Sequence, residues 1–150
     1  MNGSTLTASA IVSFSQDLEL RLATFYKELE QRFPEHAELF HSFVLSCEKT
    51  GKQVVRTYQE TVSDALETGY SFGGISLEAY RLDWDLPEAP SLREAVEMAQ
   101  ALETSAVAFY SDVAGASESL LATIPRAFKR AGRTHQRRRE ALEALLPDPV

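Results

Sequence analysis

Apolar side chains recur along most of this chain three or four residues apart, which is the spacing of one face of an α-helix. Four such segments stand out, and nothing in the chain shows an alternating strand pattern longer than four residues. We therefore expect an all-α protein without a β-sheet. The pattern predicts helices near 9–32, 35–67, 91–114 and 120–145.

Local signals at the ends of these segments support the boundaries. Pro34 ends the first helix and suits the first turn of the second, because it lacks a backbone N–H and has a helical φ. The second and third helices stop near Gly69 and Gly115. Ser91 and Glu94 have the spacing of a capping box, in which each side chain accepts a backbone N–H at the helix start.

The segment between the second and third helices, residues 69–90, is rich in glycine and proline but also in aromatic residues. Disordered linkers are poor in aromatics, so we expect this segment to pack on the bundle and to bury Phe72, Tyr80 or Trp84. A short helical turn is predicted over 77–81. An extended segment of this length reaches roughly 70 Å, whereas a helix of the predicted length spans about 38 Å. The segment can therefore cross the whole bundle, and the chain is predicted to form one domain, 1–150, of two helical hairpins joined by a long crossover.

Composition restricts the function classes. The 150 residues carry a net charge of −7, which argues against nucleic-acid binding by the molecule as a whole. The single cysteine, Cys47, excludes an internal disulfide. The first positive charge is Arg21, so the mildly apolar start lacks the basic region of a signal peptide, and no apolar run approaches the roughly 20 residues of a membrane span. We expect a cytoplasmic protein that does not bind membranes.

An internal repeat relates the two halves of the chain. Glu19 is followed after five residues by Phe25 and Tyr26, and Glu103 is followed in the same way by Phe109-Tyr110. The partner helices also correspond, with Phe40 in the second and Phe128 in the fourth, each followed by small or apolar residues. Such a repeat indicates a duplicated hairpin and directs attention to a site between the two copies.

This repeated Glu-x5-Phe-Tyr motif and the long crossover resemble the rubrerythrin-related branch of the ferritin-like proteins, over almost the whole chain. The resemblance implies a ferritin-like four-helix bundle that holds two iron or manganese ions. In that family the first and third helices each supply a glutamate, and the second and fourth each supply a Glu-x-x-His motif. Glu19 and Glu103 fall on the two single-glutamate positions.

The other half of the family's motif is damaged, because no Glu-x-x-His occurs at the site positions of the second and fourth helices. The one match in the sequence, Glu38 to His41, lies near the start of the second helix, far from the layer of Glu19 and Glu103. If Phe40 and Phe128 set the register, the acid and histidine positions are Cys47 and Thr50 in the second helix and His135 and Arg138 in the fourth. If Glu48 is instead the acid, its histidine partner is replaced by Gly51, and the fourth helix supplies Gly132 and His135. We prefer the phenylalanine register, because it keeps the apolar stripe continuous. Neither register supplies six ligands.

Two inward carboxylates need positive charge or hydrogen-bond donors, and the sequence leaves two sources open. One is a single iron, manganese or zinc ion held by Glu19, Glu103 and His135, with Glu48 or Cys47 as a further ligand. The other is Arg138 with a protonated His135, which would substitute for the metal charge. The leading interpretation is a structural or partner-binding protein with a degenerate di-metal site, no cofactor or one ion, and no catalytic residue. The alternative is a di-iron or di-manganese oxidoreductase, an oxidase or peroxide reductase, in iron handling or oxidative stress.

A basic run occupies residues 129–139, with six lysines and arginines and no acid. Without these six charges the rest of the chain carries −13, from −7 − 6. This segregation favours a solvated basic face that docks on an acidic neighbour. We expect a homodimer, with a further protein as a possible partner.

Overall fold

Four helices account for most of the computed structural model, which describes residues 6–61, 71–72, 77–80, 85–116 and 123–146. Helix α1 (Ala8–Arg32) packs along α2 (Ala37–Thr61), and α3 (Leu92–Ala116) packs along α4 (Thr123–Glu143). The fold therefore consists of two hairpins with a long crossover between them. Contacts between α2 and α4, and fewer between α1 and α3, join the hairpins. The predicted all-α fold class is confirmed.

The helix boundaries follow the local signals closely. Pro34–His36 forms a 3₁₀ turn, so α2 begins two residues later than predicted. The capping box is present: the Ser91 amide donates to Glu94 Oε1 at 2.9 Å, and the Glu94 amide donates to Ser91 Oγ at 3.1 Å. The predicted end of the second helix at residue 67 lies outside the described residues.

The described part of the crossover packs on the bundle as predicted. Leu77–Tyr80 forms a 3₁₀ turn, and the half-buried Tyr80 ring lies 6.4 Å from the ring of Phe14 and 5.4 Å from that of Phe109. The Tyr80 hydroxyl also donates to Asp112 at 2.5 Å. Tyr80 therefore fixes the crossover against both hairpins. The side chains of Phe72 and Trp84, the other two candidates for burial, lie outside the described residues.

One feature of the crossover contradicts the expectation that no β-sheet forms. The two-residue strands β1, Leu6–Thr7, and β2, Ser71–Phe72, pair antiparallel, with Leu6 opposite Phe72. The pairing satisfies backbone groups just before α1 that no helix bonds. Two residues are too few for a periodicity to be visible in the sequence, which explains the error.

The core is one continuous cluster of apolar side chains that includes residues of all four helices. Its largest completely enclosed aromatic residues are Tyr26, Tyr110, Phe40 and Phe109. Polar side chains are nevertheless buried within it, and they lie mostly near the middle of the helices. The buried polar residues are Ser15, Glu19, Thr50, Glu103, His135 and Arg138.

Among the described helices, none has the length and apolar character that a membrane span requires.

Candidate functional site

Two glutamates from the repeated motif face each other inside the bundle. Glu19 lies near the middle of α1 and is 2% exposed, and Glu103 lies near the middle of α3 and is fully buried. Both occur on the apolar face of their helix, as the sequence predicted. Buried carboxylates at these positions require donors or cations in the same layer.

His135 of α4 bridges the two glutamates. Its Nε2 lies 2.6 Å from Glu19 Oε2, and its Nδ1 lies 2.5 Å from Glu103 Oε1. Burial alone lowers the pKa of His135, but the two carboxylates outweigh burial and raise the pKa to about 9. At neutral pH the ring is therefore an imidazolium that donates from both nitrogens.

Arg138, one turn further along α4, supplies a second positive charge. Its Nη1 donates to Glu103 Oε2 at 3.1 Å, and its Nη2 donates to Ser46 Oγ at 2.7 Å. The guanidinium carbon also lies 5.8 Å and 5.6 Å from the ring centres of Tyr26 and Phe43. Burial disfavours ionised Glu103, but His135 and Arg138 together hold the pKa of Glu103 below its usual value. The expectation that Arg138 reaches one of the two glutamates is confirmed.

The motif tyrosines cross between the hairpins. Tyr110 of α3 donates to Glu19 Oε2 at 2.6 Å, and Tyr26 of α1 donates to Glu103 Oε2. Because the Tyr110 proton is used in this way, Ser15 is the donor in its 2.6 Å contact with the Tyr110 oxygen. Burial and the neighbouring carboxylates raise the pKa of both tyrosines. Each hairpin thus donates a hydrogen bond to the glutamate of the other.

Aromatic stacking shows how the repeats correspond. Tyr26 stacks on Phe40 and Tyr110 stacks on Phe128, with ring centres 6.3 Å apart in both pairs. The two phenylalanines therefore occupy equivalent places, as in the preferred register of the sequence analysis. In this register Cys47 of α2 corresponds to His135. Thr50 corresponds to Arg138, so at these two positions α2 offers neither an imidazole nor a cation.

The consequence is a strong asymmetry between the two glutamates. Both oxygens of Glu103 receive hydrogen bonds, from Tyr26, His135 and Arg138. In contrast, Glu19 receives its bonds at Oε2 alone, and its buried Oε1 has no hydrogen-bond partner within the described part of the chain. Glu19 raises the pKa of the nearby Cys47 thiol both by its charge and by a side-chain hydrogen-bonding contact, effects smaller than that of burial. A thiol is only a weak donor, and Glu19 Oε1 has no partner by the distance and angle of a normal hydrogen bond among the described residues.

Not every predicted ligand joins this network. Glu48 is exposed, and its carboxylate faces Lys27 at 3.9 Å. In the described ranges, no group of three or more histidine, cysteine, aspartate or glutamate side chains is arranged to hold a metal ion. The metal-ligand assignments of Glu19, Glu103, His135 and Glu48 stay predictions.

Sequence reasoning missed the two serines that complete the network and treated the tyrosines as packing residues. Ser15 had a detectable signal, because it interrupts the apolar stripe of α1 between Ile11 and Leu18. Ser46 had none, because it is half-buried beside the apolar face of α2. The role of the tyrosines depends on contacts between hairpins, which a single helix does not show.

Chemically, the network is balanced: two carboxylates face one imidazolium and one guanidinium, with two phenols as donors. Such an arrangement holds four helices in one relative position.

Comparison of this chain with known family models, with characterised proteins and with solved structures finds no match. These comparisons therefore assign the chain to no family.

Proposed function

We propose that this chain is a rubrerythrin-related bundle in which fixed charges replace the di-metal site, and that it acts as a structural or partner-binding protein. The observation that supports this most directly is the position of Arg138, whose Nη1 lies 3.1 Å both from Glu103 Oε2 and from His135 Nδ1. Two donor nitrogens approach this closely because Glu103 accepts from both. The guanidinium therefore takes the place next to the glutamate and histidine where a family metal would bind.

The donor set does not fit a resident metal ion. A metal ligand must offer a lone pair, and protonated His135 has none, because both of its nitrogens donate to carboxylates. Arg138 would also repel a cation placed beside Glu103. Binding one ion would require His135 to lose its proton and Arg138 to leave its contacts with Glu103 and Ser46.

Elemental analysis and thermal melting test this proposal. We expect protein purified without a metal-affinity tag to contain iron, manganese and zinc well below one ion per chain. We also expect its melting temperature to be the same with and without EDTA. Two ions per chain after iron reconstitution, together with peroxide turnover, would refute the proposal and support the oxidoreductase alternative.

The partner-binding part of the proposal rests on one face of α4. Arg126, Arg130, Arg133 and Arg137 are exposed and follow the spacing i, i+4, i+7 and i+11, which places them in one stripe. The rest of the chain is strongly acidic, so a second copy of the chain offers a complementary surface. We infer a homodimer held partly by this stripe.

Sedimentation measures this association. Raising the salt concentration should dissociate the dimer, because exposed charges are screened. Arg133→Glu should weaken the dimer in the same way, whereas Lys49→Glu, an equal charge reversal at an exposed position of α2, should not. A monomer at low salt, or equal effects of the two variants, would contradict the assignment of this face.

A further inference from the structure

A groove between α1 and α2 extends from the protein surface to Glu19. It has a volume of about 480 Å³, and its walls include Gln16, Glu19, Cys47, Gly51, Lys52 and Arg56. We call it the Glu19 groove. A volume in this range is typical of sites for small molecules.

The inner end of the Glu19 groove contains an unsatisfied acceptor. Glu19 is 98% buried, from 100 − 2, and its Oε1 has no hydrogen-bond partner among the residues described. Gly51 lies close against the Glu19 side chain at this end, since a Cβ at this position would come within 3.3 Å of the Cβ of Glu19. A larger side chain at 51 would therefore displace Glu19 or close the inner end of the groove. The inner end thus calls for a ligand that donates a hydrogen bond.

The symmetry of the bundle indicates what kind of donor fits. Glu103 is neutralised by two cations, the His135 imidazolium and the Arg138 guanidinium. Among the described residues the other glutamate, Glu19, is paired with only the shared His135, because Thr50 takes the place of an arginine on α2. A cationic donor at Glu19 Oε1 would neutralise Glu19 as Arg138 neutralises Glu103.

The outer end of the Glu19 groove favours a negatively charged group. Lys52 and Arg56 line it and are exposed, and they follow Gly51 along α2 by one residue and by little more than one turn. Glu48 also lines the groove, but its carboxylate faces Lys27. Lys52 and Arg56 would repel a ligand that carries only positive charge, and Glu19 would repel one that carries only negative charge. A zwitterion satisfies both ends and adds no net charge to the balanced network.

We propose that the Glu19 groove binds a small amino acid, with its ammonium group on Glu19 Oε1 and its carboxylate held by Lys52 and Arg56. This site goes beyond the proposed structural role and does not depend on it. It needs no metal, so its test is carried out with the full chain in EDTA, where a failure of the metal-free proposal would not disturb the result.

Binding is measured by NMR titration and calorimetry with glycine, β-alanine and 4-aminobutyrate, which differ in the distance between the two charges. Acetate and ethylammonium, each carrying one of the charges, are the control ligands. At least one amino acid should saturate a single site with an affinity about tenfold or more above that of either control. If no amino acid binds more tightly than the controls, only water and salt ions occupy the groove and the proposal is wrong.

Variants identify the site. Gly51→Leu should abolish binding, because the added side chain would press against Glu19 at the inner end of the groove. Gly132→Leu is the matched control, because a Cβ at 132 also meets a neighbouring Cβ at 3.3 Å, that of Tyr110, outside this groove. If either glycine variant fails to fold, substitutions at exposed positions test the site instead. Arg56→Gln should weaken binding about tenfold, and Lys49→Gln should leave it unchanged. Unchanged binding by Arg56→Gln would overturn the proposal.

Discussion

Replacing Arg138 by leucine tests whether its charge holds the bundle together. Arg138 is 3% exposed, and its guanidinium contacts Glu103, Ser46 and the Tyr26 ring. Removing one partner of a buried ion pair typically costs about 3–5 kcal/mol, because the other charge stays buried without compensation. For a domain of this size each kcal/mol corresponds to about 2–4 °C, so Arg138→Leu should lower the melting temperature by roughly 6–20 °C.

A double-mutant cycle shows whether this cost arises from Glu103. Because the structure assigns Arg138 to this glutamate, the second change Glu103→Gln should recover much of the loss: the amide removes the unpaired charge, while Glu19 keeps His135. Arg137→Leu, at an exposed position of the same helix, should change the free energy of unfolding by less than about 0.5 kcal/mol. Urea unfolding at neutral pH measures the wild type, the two single variants and the double variant of the cycle, and Arg137→Leu.

Two results would refute this reasoning. One is an Arg138→Leu variant within about 1 kcal/mol of the wild type, which is the value of an exposed ion pair. The other is a wild-type melting temperature that falls on adding EDTA, because this would show a bound ion stabilising the carboxylates in place of the guanidinium.

Three further predictions concern the same network. The pKa of His135 is about 9 in the folded protein and 6.5 when exposed, so its protonation should contribute about 3 kcal/mol to the free energy of unfolding. This contribution should be complete below pH 6.5 and be lost as the pH rises through 9. Urea unfolding as a function of pH measures it, and His135→Gln should flatten the curve in that range. Tyr110→Phe should lower the free energy of unfolding by about 1–3 kcal/mol, and by more than Tyr26→Phe does. Tyr110→Phe leaves Glu19 with His135 as its donor, whereas Tyr26→Phe leaves Glu103 with both His135 and Arg138. Equal shifts of the melting temperature would contradict the asymmetry between the two glutamates. Cys47, which is fully buried with a raised pKa, should react with a thiol reagent only as fast as the chain unfolds, and rapid labelling of the native protein would contradict its burial.

The helices and the main site residues were accessible from the sequence because they depend on local patterns. Apolar spacing, Pro34 and the capping box of Ser91 and Glu94 determine where helices form. The repeat of Glu19 and Glu103 on apolar faces was enough to predict that both point inward, since a buried carboxylate at one position is unusual and at two related positions indicates a common role. The three-residue spacing of His135 and Arg138 placed both on one side of α4.

Only the tertiary structure decided how these charges are distributed. The short β1–β2 ladder, the crossed bonds of Tyr26 and Tyr110, and the choice of Glu103 by Arg138 all join segments far apart in the chain. Periodicity reports which face of a helix is buried, but it does not report which atom of the opposite helix that face meets. For the same reason the sequence could not show that Glu19 Oε1 has no hydrogen-bond partner among the described residues, at the inner end of a groove lined by Gly51.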